Sequence, residues 1–211
     1  MVRAQSEIGM ARTSPQMPVR LAQSAFALFS RRGIINVSLD QVASHAGVTK
    51  GSLYWHFKSK DELIKAACAH YYQNFHRRMN AEIAPVRDPL KRLERALRRS
   101  VRICLLDAEN RVFTMDIWSL SLHDTEVRRG WQQFYDSVRE FYIGLVRAAV
   151  LSGQMEIDNP ERLVNLMLEA IEGIKLRAMF EPQICSPAEE SEIVKSLMEI
   201  LGCGKRAAKA A

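Results

Sequence analysis

The stretch DQVASHAGVTKGSLYWHFKSKDELI, residues 40–64, places aromatic rings among lysines and could bind a polyanion. Lys50, near the start of a short helix, can donate to a phosphate or to a base edge, and Gly51 lets the backbone approach a groove. Lys60 begins the next helix, where its ammonium group and backbone N–H groups can share one phosphate. Three consecutive rings with polar atoms add phosphate and thymine-methyl contacts: Tyr54, Trp55 and His56. The chemistry that this pattern indicates is recognition of nucleic acid.

Positive charge is concentrated in the same part of the chain. The 211 residues carry a net charge of +6 at pH 7. Residues 1–60 hold eight Lys and Arg against two acids, Glu7 and Asp40, whereas basic and acidic side chains balance in the remainder. A basic N-terminal quarter on a neutral remainder predicts a small polyanion-binding module beside a larger domain of another purpose.

Two short helices joined by HAGVT must position these side chains. Ser38 and Thr49 are good N-caps for them, and Gly47 can supply the positive φ that the tight turn needs. With the helix that starts near Pro18, they form a three-helix unit of the helix-turn-helix type. Leu53 and Phe57 should face its core.

Helical periodicity continues along the rest of the chain, without the period-two alternation of strands. We expect an all-α fold of about nine helices, the later ones at 60–83, 89–107, 109–122, 125–151, 160–179 and 187–201. The Arg-rich face at 91–102 is interpreted as solvated surface, with binding of an acidic partner as the alternative.

Several classes of protein do not fit this sequence. No run of about 18 apolar residues occurs and the N-terminus has no apolar signal segment, so we expect a cytoplasmic protein that does not enter the membrane. The cysteines lack any CxxC pair or metal-ligand spacing, which predicts reduced thiols, no metal and no cofactor: Cys68, Cys104, Cys185 and Cys203. An enzyme is the rival class, since Asp116 and His123 share a helix face. No nucleophile elbow or phosphate loop accompanies them, so we predict no catalysis.

The segment SLDQVASHAGVTKGSLYWHFKSKDELI closely resembles the DNA-binding signature of the TetR-family transcriptional regulators, with the likeness covering about residues 18–65. Matching positions are Ala43, Ala46, Gly47, Val48, Thr49, Gly51, Leu53, Tyr54, His56, Phe57, Ser59, Lys60 and Leu63. The resemblance implies phosphate contacts by Ser38, Thr49, Tyr54, His56 and Lys60. It implies base contacts by Lys50, Ser52 and Trp55. The alternative is that the three rings are packing residues, with Trp55 leaning onto the long helix.

The resemblance also implies a homodimer on a palindromic operator of double-stranded DNA, a small-molecule effector and repression. Helices 160–179 and 187–201 carry apolar residues around much of their circumference, as a dimer interface would, although plain internal core is the alternative. Effector contacts are expected from the middle helices, with ordinary core packing or internal hydrogen bonding as the alternative. The candidates are His70, Asn74, Phe75, Cys104, Met115, Trp118, Trp131, Phe134, Tyr135, Met167 and Arg177. A DNA-binding factor without ligand control is the other reading.

The expected domains follow from these assignments. Residues 1–17 would be a flexible basic arm, in which Arg3 and Arg12 could touch a minor groove. Residues 18–60 would bind DNA, 61–203 would bind ligand and dimerise, and 204–211 would form a frayed tail.

Overall fold

The computed structural model describes residues 16–203, and the regular secondary structure within that range is all helical. Nine α-helices follow in order: α1 Met17–Arg32, α2 Leu39–His45, α3 Lys50–His56, α4 Lys60–Ile83, α5 Pro89–Leu106, α6 Ala108–Ser121, α7 Thr125–Leu151, α8 Pro160–Arg177 and α9 Pro187–Ile200. Two short 3₁₀ segments lie at Ile34–Asn36 and Pro182–Ile184. The predicted all-α class is confirmed. The predicted arm up to residue 15, with Arg3 and Arg12, and the tail at 204–211 lie outside the described residues.

Side-chain caps explain where the helices begin. The Ser38 hydroxyl accepts a hydrogen bond from the Gln41 N–H at 3.2 Å, and the Gln41 side chain accepts from the Ser38 N–H at 2.8 Å, which closes a capping box at α2. The Thr49 hydroxyl accepts from the Ser52 N–H at 3.2 Å and caps α3. Both caps agree with the sequence prediction. Between the two helices Gly47 has φ +64°, as the tight turn requires.

The chain packs as two compact units. The first unit contains the described residues up to Phe75 together with Val112–Trp131. Its core consists of large side chains from α1, α3, α4 and α6 that are fully shielded from solvent: Leu21, Phe29, Leu53, Leu63, Phe113 and Ile117. Burial of such side chains is the main favourable contribution to the stability of the unit.

The second unit contains His76–Arg111 and the described residues from Gln132 onwards. In it α5 packs against α8 and α9. The largest side chains at its centre are almost completely buried: Met79, Leu93, Leu97, Leu105, Tyr142 and Met167. Among the described helices, none combines the length and the apolar character that crossing a bilayer requires.

The sequence pattern indicates that the Arg-rich face of α5 is solvated surface. In the structure, part of this face forms ion pairs with acidic side chains of other helices. Arg102 donates two hydrogen bonds to Glu190 on α9, at 3.1 and 3.0 Å, and Glu190 is only 3% exposed. Arg95 and Arg99 both pair with Glu82 at the end of α4. Part of the positive charge therefore holds helices of the second unit together. The acidic side chains that pair with these arginines belong to the same chain, and the sequence pattern alone did not reveal them.

Candidate functional site

Helix α3 presents an amphipathic surface that matches the predicted recognition helix. Leu53 is fully buried, and Phe57 just after the helix is nearly so. The side chains of Tyr54 and Trp55 are 38% and 56% exposed. The Trp55 ring stands edge-on to His56, with centroids 4.5 Å apart. Large rings exposed on a two-turn helix are costly to hydrate, so this face has the character of a binding surface.

Ser52 is the predicted base contact that the structure does not bring to this surface. It is 4% exposed, because it lies on the inner side of α3 beside Leu53. Its backbone N–H binds the hydroxyl of Thr49, which shows how closely this turn is tied to the cap. Ser52 in this position cannot reach a base edge, and we remove it from the candidate contacts. The other predicted residues at the start of α3, Lys50 and Gly51, are exposed.

Two lysines flank the end of α3. Lys58 donates from Nζ to the carbonyl oxygens of Tyr54 and Trp55, at 3.0 and 3.2 Å, and so satisfies carbonyls of the last helical turn. Lys60, the first residue of α4, donates to the carbonyl oxygen of Ile35 at 3.5 Å. Lys58 thus has a structural partner, and Lys60 places a cation at the N-terminal end of a helix, where anions are favoured.

A carboxylate that the sequence reasoning did not select lies beside the recognition helix. Asp40, in the first turn of α2, pairs with Lys50 at 2.9 Å, and both side chains are largely exposed. The hydrogen bond and charge of Asp40 raise the pKa of Lys50 above its usual value. The Lys50 ammonium also lies 5.8 Å from the centre of the Tyr54 ring. A sequence signal existed, since Asp40 is the sole acid between Glu7 and Asp61.

A second unpredicted contact joins α6 to the segment before α2. Asp116 accepts a hydrogen bond from the backbone N–H of Ile34 at 2.6 Å, across 82 positions of sequence. Gly33, next to Ile34, has φ +78°, a backbone conformation that favours glycine. His123 lies beyond the end of α6, in an exposed turn. The supposed acid–base pair therefore consists of a backbone-bound carboxylate and a residue outside the helix.

Comparison with known proteins supports one family. A family model described as "Bacterial regulatory proteins, tetR family" matches residues 21–67. The regulator TtgR of Pseudomonas putida is 27% identical over 77% of this chain and 80% of its own length. The regulator AcrR of Shigella flexneri is 51% identical over 40 residues, 19% of each chain. These matches support a TetR-family transcriptional regulator. The resemblance seen in its sequence is thereby confirmed.

The solved structures agree in fold. A Saccharomonospora viridis protein, solved in complex with choline, superposes with a TM-score of 0.76 and 20% identity, over 90% of this chain and 98% of the other. The matches support a DNA-binding, helix-turn-helix regulator of transcription, and TetR-family regulators are generally repressors. The relatives that it matches are regulators of transcription and not enzymes.

The predicted effector contacts are divided between the two units. The first unit contains His70, Asn74, Phe75, Met115, Trp118 and Trp131. His70 and Asn74 bond to each other through their side chains at 2.7 Å, which fits the alternative of internal hydrogen bonding. Trp118 is 52% exposed and therefore is not a core residue. The ring of Trp131 lies 6.1 Å from that of Tyr72, within an aromatic cluster.

The second unit contains Cys104, Phe134, Tyr135, Met167 and Arg177. All of these except Arg177 are buried or half-buried. Burial raises the pKa of the Cys104 thiol to about 12, so the group is neutral at physiological pH. Arg177 is exposed and pairs with Glu181, 2.9 Å from Nε to Oε1, so this candidate effector contact does not face the interior of the second unit.

The inward-facing cation of α8 is Lys175, which the sequence reasoning missed. It is 5% exposed and forms an ion pair with Glu172 one turn earlier. Its charge acts on Cys104, lowering the pKa of that thiol against the larger, opposite effect of burial. The signal was present in the spacing, because Lys175 follows Met167 and Ile171 at intervals of four, and both are buried. Burial of a lysine requires a compensating partner, and Glu172 is one.

Proposed function

We propose that this protein is a homodimeric repressor that binds a palindromic operator and leaves it when a small-molecule effector binds. The observation that carries the proposal is the exposed face of α3, where a lysine and large rings stand over a buried leucine. Phosphate contacts would come from Ser38, Thr49, Tyr54, His56 and Lys60. Base contacts would come from Lys50 and Trp55, with Gly51 allowing close approach of the backbone.

A dimer is needed because one recognition helix of seven residues reads few base pairs. A second copy on a two-fold axis doubles the contacts and makes the operator a palindrome. The surface offered for the second copy is the outer face of α8 and the turn after it, which exposes Leu166 by 49% and Phe180 by 64%. Gly173 lies midway between them, and nothing occupies the space where its Cβ would project. This apolar stripe of Leu166, Gly173 and Phe180 allows two helices to approach closely.

The effector part of the proposal rests on the Lys175–Glu172 pair in the second unit. An effector with a carboxylate or hydroxyl acceptor could take the place of Glu172 as partner of Lys175, with Cys104 and Met167 beside it. Such an exchange would keep the buried Lys175 paired, while the displaced Glu172, whose side chain is 37% exposed, could be hydrated. The effector would loosen DNA binding only as far as it prefers the conformation that does not bind DNA.

The first experiment is fluorescence anisotropy of the full chain on its own upstream DNA and on scrambled DNA, at two salt concentrations. We expect tighter binding to the upstream DNA and a steep salt dependence on both. One sample is denatured, extracted and refolded to remove any bound ligand. If this sample binds both duplexes with equal affinity, the result contradicts the proposal for that operator.

A thermal-shift screen over a metabolite panel separates a ligand-responsive repressor from a factor without ligand control. Choline belongs in the panel because a protein of this fold holds it. We expect at least one compound to raise the melting temperature and to lower DNA affinity. Lys175→Met should abolish both responses, because the buried donor that would bind the effector disappears. The matched control is Arg177→Met, which removes an exposed cation from the same helix and should keep both responses. Loss of the responses in both variants would contradict the role of Lys175.

A further inference from the structure

The Asp40–Lys50 pair places a negative charge in the middle of a surface proposed to bind a polyanion. The two atoms Nζ and Oδ2 are 2.9 Å apart, and the side chains are 62% and 59% exposed. Exposed pairs of this kind contribute little to the stability of a fold. Asp40 also repels phosphate, so its presence weakens general attraction to DNA. We therefore look for the effect of Asp40 in the DNA contacts that Lys50 can make.

Pairing changes which DNA groups Lys50 favours. A free ammonium is drawn most strongly to phosphates, which occur along every sequence and carry no base information. Held beside a carboxylate, the pair is close to neutral, and its attraction to a phosphate anion falls. The ammonium still has further hydrogens after one is given to Asp40, because lysine has three donors. These can bond to a neutral acceptor such as O6 or N7 of guanine.

The position of Lys50 is restricted in a second way. Its Nζ lies 5.8 Å from the centre of the Tyr54 ring, on the exposed side of α3. Asp40 on one side and the ring on the other limit the directions in which this flexible side chain can extend. A lysine held in one direction can discriminate among base edges, whereas a freely moving one follows the nearest phosphate.

We propose that Asp40 is a positioning residue for sequence specificity, which turns Lys50 from a phosphate-binding cation into a reader of one base pair in each half-site. The inference rests on the proposed DNA-binding function and adds a specificity determinant to it. Removal of the Asp40 charge should raise affinity for non-specific DNA while lowering the preference at the base pair that Lys50 reads.

The test is in vitro selection from a random duplex pool by the full chain, followed by anisotropy on the selected site and on single-base variants. Wild type is compared with Asp40→Asn, with the control Asp61→Asn, and with Lys50→Ala alone and combined with Asp40→Asn. The control removes an exposed acid from the equivalent place, the second residue of α4, so both variants change the net charge equally.

We expect the wild type and Asp61→Asn to enrich the same palindrome. Asp40→Asn should lose enrichment at one position of each half-site, with discrimination there reduced by roughly fivefold or more, the lower end for one good base contact. Its affinity for non-specific DNA should rise, with a salt slope steeper by about one per protomer. In a Lys50→Ala background, Asp40→Asn should no longer change the base preference.

Two results would overturn the inference while leaving the proposed function intact. One is unchanged base preference in Asp40→Asn, with the wild type selecting a clear palindrome. The other is an equal loss of preference in Asp61→Asn, which would mean that net charge alone is responsible. Failure of the wild type to select any sequence would instead contradict the proposed function itself, and the inference with it.

Discussion

Lys60 tests the division of labour among the basic residues of the DNA surface. Its ammonium lies at the start of α4, 3.5 Å from the carbonyl oxygen of Ile35. We expect Lys60→Ala to weaken binding to all sequences alike and to reduce the salt slope by about one per protomer. Anisotropy on the operator and on scrambled DNA measures both effects. Lys195→Ala, an exposed lysine on α9, is the control. A selective loss for the operator would show that Lys60 reads sequence.

The thiols give a prediction that concerns burial alone. Burial raises the pKa of both Cys68 and Cys104 to about 12, whereas Cys203 is only partly buried and its pKa rises less strongly. At pH 8 the thiolate fraction of a group with pKa 12 is roughly one in ten thousand, and the thiolate is the reactive form. Iodoacetamide on the native protein should therefore label Cys203 well before the two buried thiols.

Mass spectrometry of the digested protein measures this order of labelling. In denaturant the three sites should be labelled at similar rates, which serves as the control for peptide recovery. Fast native labelling of Cys104 would mean that the centre of the second unit opens readily, contrary to its burial.

At the scale of the elements, the bond from Asp116 to the Ile34 N–H joins α6 to the 3₁₀ segment that leads into α2. Ile34 is 6% exposed, so removal of the carboxylate would leave its N–H without this acceptor in a largely buried place. We expect Asp116→Ala to lower the free energy of unfolding by about 1–3 kcal/mol, the cost of a buried donor left without a partner. Urea denaturation followed by circular dichroism provides the measurement.

Asp116→Asn is the matched variant, because its amide oxygen can still accept the bond. We expect it to lose clearly less stability than Asp116→Ala. Equal losses would mean that the charge, and not the hydrogen bond, stabilises the segment. Because α2 begins only a few residues later with the Ser38 cap, Asp116→Ala should also weaken operator binding at temperatures well below unfolding.

At the scale of the whole molecule, substitutions in α8 and in the turn after it test the proposed dimer. Leu166→Glu and Phe180→Glu each place a charge in the apolar stripe, where pairing of two copies would bury it without a partner. We expect both variants to be monomers by light scattering and to lose at least roughly tenfold in operator affinity, as half of the base contacts are lost. Leu151→Glu, at an 88% exposed position at the end of α7, is the control and should remain a dimer.

Much of the DNA-binding surface could be predicted because its determinants are close in sequence. The caps at Ser38 and Thr49 and the glycine at 47 act within a few residues, so their pattern indicates two short helices and the turn between them. The inward spacing of Leu53 and Phe57 then defines which side of α3 is exposed. Ser52 was predicted as a base contact although it is buried. A short polar side chain does not itself indicate whether it is buried, because this depends on how the helix packs.

The second unit was predicted less well, for a physical reason that Arg177 and Lys175 illustrate. Both are cations in the last turn of α8. Their residue types alone do not indicate which of the two faces the interior. Residues two positions apart lie about 200° apart around a helix, so Lys175 and Arg177 face nearly opposite sides. Because α8 carries apolar residues around much of its circumference, the helices packed against it decide which side belongs to the core. The same holds for Glu190, whose partner Arg102 lies on another helix.

The amino-acid sequence by itself determined the helical class, the bounds of the helices and the DNA-binding signature, because capping, periodicity and turn formation act over a few neighbouring residues. Only the tertiary structure decided that Asp40 holds Lys50, that Asp116 binds the Ile34 N–H across 82 positions and that Lys175 faces inwards. Those contacts depend on how helices pack, and packing energies are summed over many distant side chains that no local pattern contains.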